Sequence, residues 1–415
     1  YDFFAVYETV TGDLSPNGAT LRVQIDTNAP NTPLLDLRDD TGHSLSDEIT
    51  SDNTPDVSMT TTDSATLAQL FTDNLKFRIY DRFEASAEVL IYNSATDAAA
   101  DIISSALGFE AMFTSATQLT RTLGPLADGV HNLKLEVEDR AGNISEDFLL
   151  EVFVDTLAPA AVMPNLLDAS DSGMVNTDNV TNKMSPAFTG VAEINNKVFV
   201  YATRISPTLG VPIGAPELVC EGLVGSENSN GVSNDGLGRW EVTVEPLVDG
   251  VYDITVQFED WAGNITSLAA ASQNALRIVI DTEAPNTPYL DLLDDTGRHD
   301  NDNITKDNTP NVSMTTTDPN IAFAQALFTD NLKFRIYDRF ENSGQEVLIY
   351  NSAVDLAADV NLLAGDMFTA LTQLTRTMPG LFPVNPAISG LALADGVHNL
   401  KLEVEDRAGN ISHDF

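Results

Sequence analysis

Leu126 to Ser145 reads LADGVHNLKLEVEDRAGNIS, and the same twenty residues recur unchanged from Leu393 to Ser412. Within them, Leu133-Lys134-Leu135-Glu136-Val137-Glu138 alternates strictly between apolar and charged residues. A period of two is that of a strand with one buried and one wet face. The Asp-Arg-Ala-Gly-Asn that follows has the composition of a tight turn. A strand that runs into the same turn twice in one chain points to repeated β-domains.

The repetition extends outward. LFTDNLKFRIYDRFE stands at 70–84 and again at 327–341, and a divergent third copy of the first stretch, LVDGVYDITVQFEDWAGNIT, runs from Leu247 to Thr266. The opening YDFFAVYETVTGDLS aligns with YDITVQFEDWAGNIT, which places Tyr1 opposite Tyr252. Each copy closes on a short linker: Asp26-Thr-Asn-Ala-Pro30, Asp155-Thr-Leu-Ala-Pro159 and Asp281-Thr-Glu-Ala-Pro285. The linker aspartates lie 129 (155 − 26) and 126 (281 − 155) residues apart. The expected domains are 1–26 (the tail of a preceding domain), 27–155, 156–281 and 282–415, the last ending before its final strand. The first and third copies are the most alike, so the larger unit is a pair of domains. A chain that opens inside a strand reads as part of something longer.

Each unit reads as all-β. KFRIYDRF, EVLIYNSA and FLLEVFVD are β-branched and aromatic runs bounded by turn residues, the pattern of a sandwich rather than a parallel sheet. The exceptions are an Ala-rich segment at 97–113 and its partner at 355–368, whose composition favours short helical insertions in the first and third full repeats. The second repeat has instead a Gly/Asn-rich loop at 226–238.

Composition narrows the function. Acidic residues number 62 against 21 basic, a net charge of −41, which disfavours nucleic acid and anionic membrane surfaces as partners. Clustered carboxylates are either a solvated surface or the ligands of a divalent cation. The one cysteine, Cys220, allows no internal disulfide. No apolar run of 18 residues is present, so direct membrane insertion by a helix is not expected.

Asp-Thr-x-Ala-Pro, an Asp-x-Gly with a later Asp, Gly238-Arg-Trp240, Leu247-Val-Asp249-Gly250 and Asp260-Trp-Ala-Gly-Asn264 together resemble bacterial immunoglobulin-like repeats. Such repeats form the extender regions of giant secreted adhesins and related cell-surface proteins. The first and third copies lack the Gly-x-Trp, and the Ala-rich insertions depart from the pattern. The resemblance implies tandem immunoglobulin-like β-sandwich domains in an elongated extracellular rod. It also implies a spacer role, often with calcium between domains.

The carboxylates are placed accordingly. An acidic loop follows the first strand of each repeat: Asp39-Asp40-Thr-Gly then Asp47; Asp171-Ser-Gly then Asp178; Asp294-Asp295-Thr-Gly then Asp302. Asp40, Asp171 and Asp295 are each followed seven positions later by Asp, although the residues between them vary. Calcium takes six to eight oxygens, and such a loop can fold two carboxylates and backbone carbonyls around one ion. Neither an EF-hand nor a Gly-rich nonapeptide is present. A second acidic group, Asp139, Asp260 and Asp406, begins the Asp-x-Ala-Gly-Asn turns; these act as hairpin turns, as metal ligands, or as both. In an immunoglobulin-like array the first-strand loop of one domain faces the linker and the last hairpin of the next. Asp40 and Asp47 are therefore expected to converge with Asp155 and Asp260, with Asp26 and Asp281 as the other linker ligands. Unneutralised, such a group would repel by on the order of several kcal/mol. In the opening copy Thr9 stands where Asp260 would be, and Asp13 where Asn264 would be.

Nothing assembles into a catalytic site. The five histidines are dispersed, and acids repeated in every domain suit a structural ion better than one cleft. Trp240 and Trp261 read as packing residues, and Asn143-Ile-Ser145 and Asn264-Ile-Thr266 as turn chemistry. Two readings stay open: a spacer held to its neighbouring repeats, and a filament, sheath or surface-layer subunit. The filament would contact other copies of itself through the insertions or by strand donation.

Overall fold

The computed structural model describes residues 1–18, 20–62, 75–97, 113–115, 118–173, 175–225, 237–308, 310–316, 332–341, 343–351, 373–377 and 393–413. The chain divides into two compact units, Tyr1–Pro159 with Glu259–Ile265, and Ala160–Phe258 with Thr266–Phe415.

In the first unit, β1 (Asp2–Phe3) pairs antiparallel with β2 (Leu21–Arg22), and Arg22 Nε donates to Asp2 Oδ1 at 2.9 Å. One sheet then joins β3 (Leu34–Leu37), β5 (Asp56–Thr60), β9 (Gln118–Thr122) and β8 (Phe113–Ser115) in that order. The other has the order β4 (Ile49–Thr50), β11 (Phe148–Val154), β10 (Gly129–Glu138), β6 (Lys76–Phe83) and β7 (Val89–Asn93). Leu35, Val57 and Met59 of the first sheet pack on Phe77, Ile79, Leu133, Leu135 and Val152 of the second. Leu133, Leu135 and Val137 are fully buried, as the alternation requires, while Lys134, Glu136 and Glu138 line the other face. There Arg78 Nη1 donates to Glu136 Oε1 at 2.7 Å and its Nη2 donates to Glu138.

In the second unit, β12 (Asn165–Leu166), β14 (Ala187–Glu193) and β17 (Leu237–Thr243) form one sheet. The facing sheet runs β13 (Val180–Thr181), β19 (Leu276–Ile280), β18 (Gly250–Glu259), β15 (Lys197–Ile205) and β16 (Glu217–Leu223). Trp240 is in this core, edge-on to Phe258 with ring centroids 6.2 Å apart. Helix α1 (Leu268–Gln273) precedes β19 and is capped by Ser267, whose side chain accepts from Ala270 N. Six residues give no readable helical period, so it escaped the sequence reading. The remaining strands are β20 (Tyr289–Leu292), β21 (Asn311–Thr315) and β24 (Gln373–Thr377) in one sheet, and β23 (Val347–Asn351), β22 (Lys333–Phe340) and β25 (His398–Glu405) in the other. Among the described residues, no strand pairs with the outer side of β25.

These are two-sheet β-sandwiches, antiparallel except where β4 joins β11 and β13 joins β19 in parallel. The fold is nearly all β. The Ala-rich segments and the 226–238 loop fall outside the described residues, apart from their ends at Asp97, Phe113 and Leu237–Gly238.

Candidate functional site

The seven-residue aspartate spacing has a local cause. Asp40 Oδ2 accepts from Glu48 N at 3.0 Å, Asp171 Oδ2 from Asn179 N at 3.1 Å, and Asp295 Oδ2 from Asn303 N at 2.9 Å. Each first aspartate thus captures the amide just after the second and closes the loop. The captured residues are left-handed, with φ of 62° at Glu48, 62° at Asn179 and 57° at Asn303. Asparagine tolerates that region; glutamate adopts it at a cost. Asp39 Oδ2 accepts from Asp56 N at 2.8 Å and ties the first loop to β5.

Closing the loop uses one oxygen and buries the other. Oδ1 of Asp40, Asp171 and Asp295 is inaccessible to solvent and has no donor, and so are Asp47 Oδ1 and Glu48 Oε2. Burial pushes the Asp47 carboxyl up, and the neighbouring Asp40 carboxyl adds to this. Burial also pushes Glu48 up, helped by the charges of Asp36 and Asp40. Asp171 is pushed up by burial, partly offset by the Asn179 amide, with the charge of Asp178 adding. Asp178 itself accepts from Val180 N at 3.1 Å and from Arg407 Nε at 2.7 Å. Asp302 is exposed and accepts from Ile304 N at 3.2 Å, while Asp294 is half-buried at the head of the third loop.

The second acidic group is occupied by its own turn. Asp139 Oδ1 accepts from Ala141 N at 2.8 Å and Asn143 N at 2.9 Å, and its Oδ2 accepts from Asn143 Nδ2 at 2.8 Å. Burial would raise this carboxyl, but these donors outweigh it and hold it below its ordinary value. Asp260 and Asp406 each accept from both the amide and the side chain of the following Asn264 and Asn410. The asparagine amide serves twice. Asn264 Nδ2 also donates to the Asp155 carbonyl at 2.8 Å, Asn410 Nδ2 to that of Asp281 at 2.9 Å, and Asn143 Nδ2 to that of Asp26 at 3.3 Å. The linker carboxylates cap their own turns, on Asn28 N, Leu157 N and Glu283 N. Burial pushes the Asp155 carboxyl up, with Asp260 and Asp128 contributing their charges.

Two joints of the same design result. In the first unit, Thr41 Oγ1 donates to the Ala262 carbonyl at 2.5 Å and His43 N to that of Trp261 at 3.2 Å. In the second unit, Ser172 Oγ donates to the Ala408 carbonyl at 2.6 Å. Gly42 (φ 87°) and Gly173 (φ 93°) lie directly against the opposing loop. At the third copy, a Cβ on Gly297 would meet nothing within 4 Å.

The joints bring loop and linker together through backbone groups, while the carboxylates fall into two sets rather than one. Asp40 and Asp47 lie with Glu48; Asp155 and Asp260 lie with Asp128. Among the described residues, no three His, Cys, Asp or Glu side chains gather tightly enough to hold a metal ion alone. Of the five donorless oxygens, those of Asp40, Asp47 and Glu48 share the first loop, while those of Asp171 and Asp295 stand singly in the other two. Sequence reasoning missed Thr41, Ser172, Glu48, Arg407 and the second role of Asn264 and Asn410. The repeated Asp-(Thr/Ser)-Gly was the available signal.

No protein-family model matches the chain, and no curated protein does. Among solved structures, it is similar to fibronectin(III)-like modules of CbhA from Clostridium thermocellum, at 13% identity over 60% of this chain and 94% of that one, with a TM-score of 0.27. It is also similar to a structure concerning host cell surface retention of a 1.5-MDa bacterial ice-binding adhesin, at 11% identity, 94% and 96% coverage and a TM-score of 0.29. Dimeric latent PorU from Porphyromonas gingivalis matches at 9% identity with a TM-score of 0.19; the chain covers 93% of itself but 34% of that protein. At such scores the fold rests on the strand pairing above.

Proposed function

We propose that this chain is a non-catalytic extender segment of a surface-displayed, adhesin-like repeat protein, with calcium reinforcing its joints outside the cell. The observation that carries this is the repeated seating of one loop on the next linker: Thr41 and Asn264 in one joint, Ser172 and Asn410 in the other. A spacer needs each domain fixed to the next, and hydrogen bonds of about 1 kcal/mol each give a joint that is specific but weak. The donorless oxygens of Asp40, Asp47 and Glu48 support a cation at the first joint. Calcium there would offset their mutual repulsion and stiffen the contact, with an affinity of about 10⁻⁴ to 10⁻³ M as in extracellular modules. Among the described residues, no helix is long and apolar enough to cross a membrane.

Calorimetry and small-angle scattering with chelator and with millimolar calcium test this reading. Chelation should lower the melting temperature and broaden the distribution of dimensions, and Asp40→Asn with Asp47→Asn should reproduce that at the first joint. Identical melting and scattering in the two conditions would exclude calcium.

A further inference from the structure

Two of the sandwiches close in the same way. In the first, β11 lies along β10 with Val154 opposite Gly129 and Val152 opposite His131, and Phe153 and Val154 run parallel to Ile49 and Thr50 of β4. In the second, β19 takes that place between β18 and β13, with Ile280 opposite Gly250 and Ile278 opposite Tyr252. Val152, Val154, Ile278 and Ile280 are fully buried. The residues after each strand fasten its end. Asp155 N and Asp281 N donate to the Thr50 and Thr181 carbonyls, and Thr156 N and Thr282 N donate to Asp128 and Asp249.

The third sandwich holds this slot open. Among the described residues, no strand lies along the free edge of β25. A groove of about 530 Å³ is found there, lined by residues that include Leu290, Leu292, Ile304, Val312, Val397 and Leu400. The groups that receive a closing strand are all present. Gly396 and His398 stand where Gly129 and His131 do, Ile304 and Thr305 where Ile49 and Thr50 do, and Asp395 where Asp128 does. Leu133, opposite Leu150 of β11, is fully buried, whereas its counterpart Leu400 is half-buried and Ile304 is 65% exposed. A free edge beside an apolar groove accepts an extended segment with apolar residues at alternate positions.

Among the described residues, one such segment lies outside the sandwiches. Leu21-Arg-Val-Gln-Ile25-Asp26-Thr27 repeats the spacing of Leu276-Arg-Ile-Val-Ile280-Asp281-Thr282 and of Leu150-Glu-Val-Phe-Val154-Asp155-Thr156. Leu21 and Ile25 are 64% and 66% exposed, and β1 and β2 form a sheet by themselves over two exposed residue pairs. So short a ribbon is readily given up.

We infer that residues 21–26 of one copy of this chain close the third sandwich of another. The strand leaves β1 and enters antiparallel to β25, with Ile25 opposite Gly396, Val23 opposite His398 and Leu21 opposite Leu400. Gln24 and Ile25 then run parallel to Ile304 and Thr305, and Thr27 donates to Asp395. Each copy offers a strand at one place and a groove at another, so copies add in a row. The contact needs no metal and is independent of the calcium reading.

Sedimentation velocity of the 415-residue chain over a range of concentrations, in chelator and in calcium, tests this. The parent should form concentration-dependent oligomers in both conditions. Val23→Asp with Ile25→Asp spoils the strand, and Ile304→Asp spoils the groove. None of these side chains is buried in the single copy, so the sandwiches should fold, which circular dichroism checks. Each variant alone should associate at least about tenfold more weakly, because the slot would bury an unpaired charge. An equimolar mixture of the two should restore a paired complex, since one strand and one groove remain intact. A synthetic peptide of residues 20–28 should bind the strand variant and not the groove variant. A parent that stays monomeric at every concentration would overturn the inference, and so would oligomers that persist unchanged in either variant alone.

Discussion

A Cβ at Gly42 would lie 1.8 Å from the carbonyl oxygen of Trp261, so the first joint closes only around a glycine. The contact is mutual, since a Cβ on Gly263 would come within 3.0 Å of Gly42 Cα. The second joint repeats it: a Cβ on Gly173 would lie 2.0 Å from the Arg407 carbonyl, and one on Gly409 2.8 Å from Gly173 Cα. Two turns press backbone on backbone, which leaves their flanking hydroxyl and amide groups at hydrogen-bonding distance.

Gly42→Ala should therefore do more than strain a turn. Gly297→Ala, at φ 127° with open space around it, pays only the backbone cost of a side chain at positive φ, about 1–2 kcal/mol. Gly42→Ala adds a clash that no rotamer relieves, so the loop must withdraw from Trp261. Amide exchange at His43, whose N–H donates to the Trp261 carbonyl, should accelerate in Gly42→Ala and stay unchanged in Gly297→Ala. Equal protection in the two variants would contradict the close approach.

The hydroxyls above the glycines give a milder test. Thr41→Val and Ser172→Ala each remove a donor to a part-buried carbonyl, and each should cost about 1–2 kcal/mol in chemical denaturation. Thr296 Oγ1 accepts from Lys306 N at 2.9 Å, just as Thr41 accepts from Ser51 N at 2.8 Å. Thr296→Val isolates the loop-closing part of the effect. A Thr41→Val cost no larger than that of Thr296→Val would show that the joint bond adds nothing.

Stability of the first joint without metal should depend on pH. Asp47 and Glu48 are both pushed up, so the folded chain holds protons there that the unfolded chain has already released. Rising pH then removes stability, starting in the ordinary carboxylate range near 4 and continuing through the raised folded values. In chelator, the melting temperature should fall as pH rises from 4 to 7.5. Millimolar calcium or Asp47→Asn should flatten the difference. An unchanged slope in Asp47→Asn would place the titrating group elsewhere.

Much of this was legible in the repeats, because a period of two survives any packing that keeps one face dry. Leu133 to Glu138 specified β10 and its buried side without knowledge of its neighbours. The aspartate spacing of Asp40 and Asp47 was equally visible, but its immediate cause was not: Asp40 binds the Glu48 amide before any ion is considered. The turn reading of Asp139, Asp260 and Asp406 accounts for their carboxylate oxygens with donors inside the loop. What the sequence could not disclose was which groups cross a joint. Thr41, Ser172 and Arg407 are ordinary surface residues until another loop is laid on them, and their partners lie 221, 236 and 229 residues away.

A second pH dependence, on the alkaline side and independent of calcium, should come from His398. Its Nδ1 lies 2.8 Å from Asp338 Oδ2 and its Nε2 lies 2.9 Å from the Ala394 carbonyl, so both ring nitrogens face acceptors. A neutral imidazole has one N–H and can satisfy only one of them, whereas imidazolium satisfies both. Burial pulls the His398 value down, but the Ala394 carbonyl and Asp338 outweigh it and raise it above the ordinary 6.5. Its contribution is therefore complete below about pH 6.5 and is lost as pH rises through the raised folded value. Tyr252 holds the corresponding corner without titrating in this range, donating its hydroxyl to the Val248 carbonyl at 2.8 Å. His398→Tyr with Asp338→Asn should copy that neutral corner. The double variant should lose the decline in melting temperature between pH 6.5 and 8.5, in chelator and in calcium alike. A decline that persists in the variant, or that calcium abolishes in the parent, would show that the corner histidine is not its source.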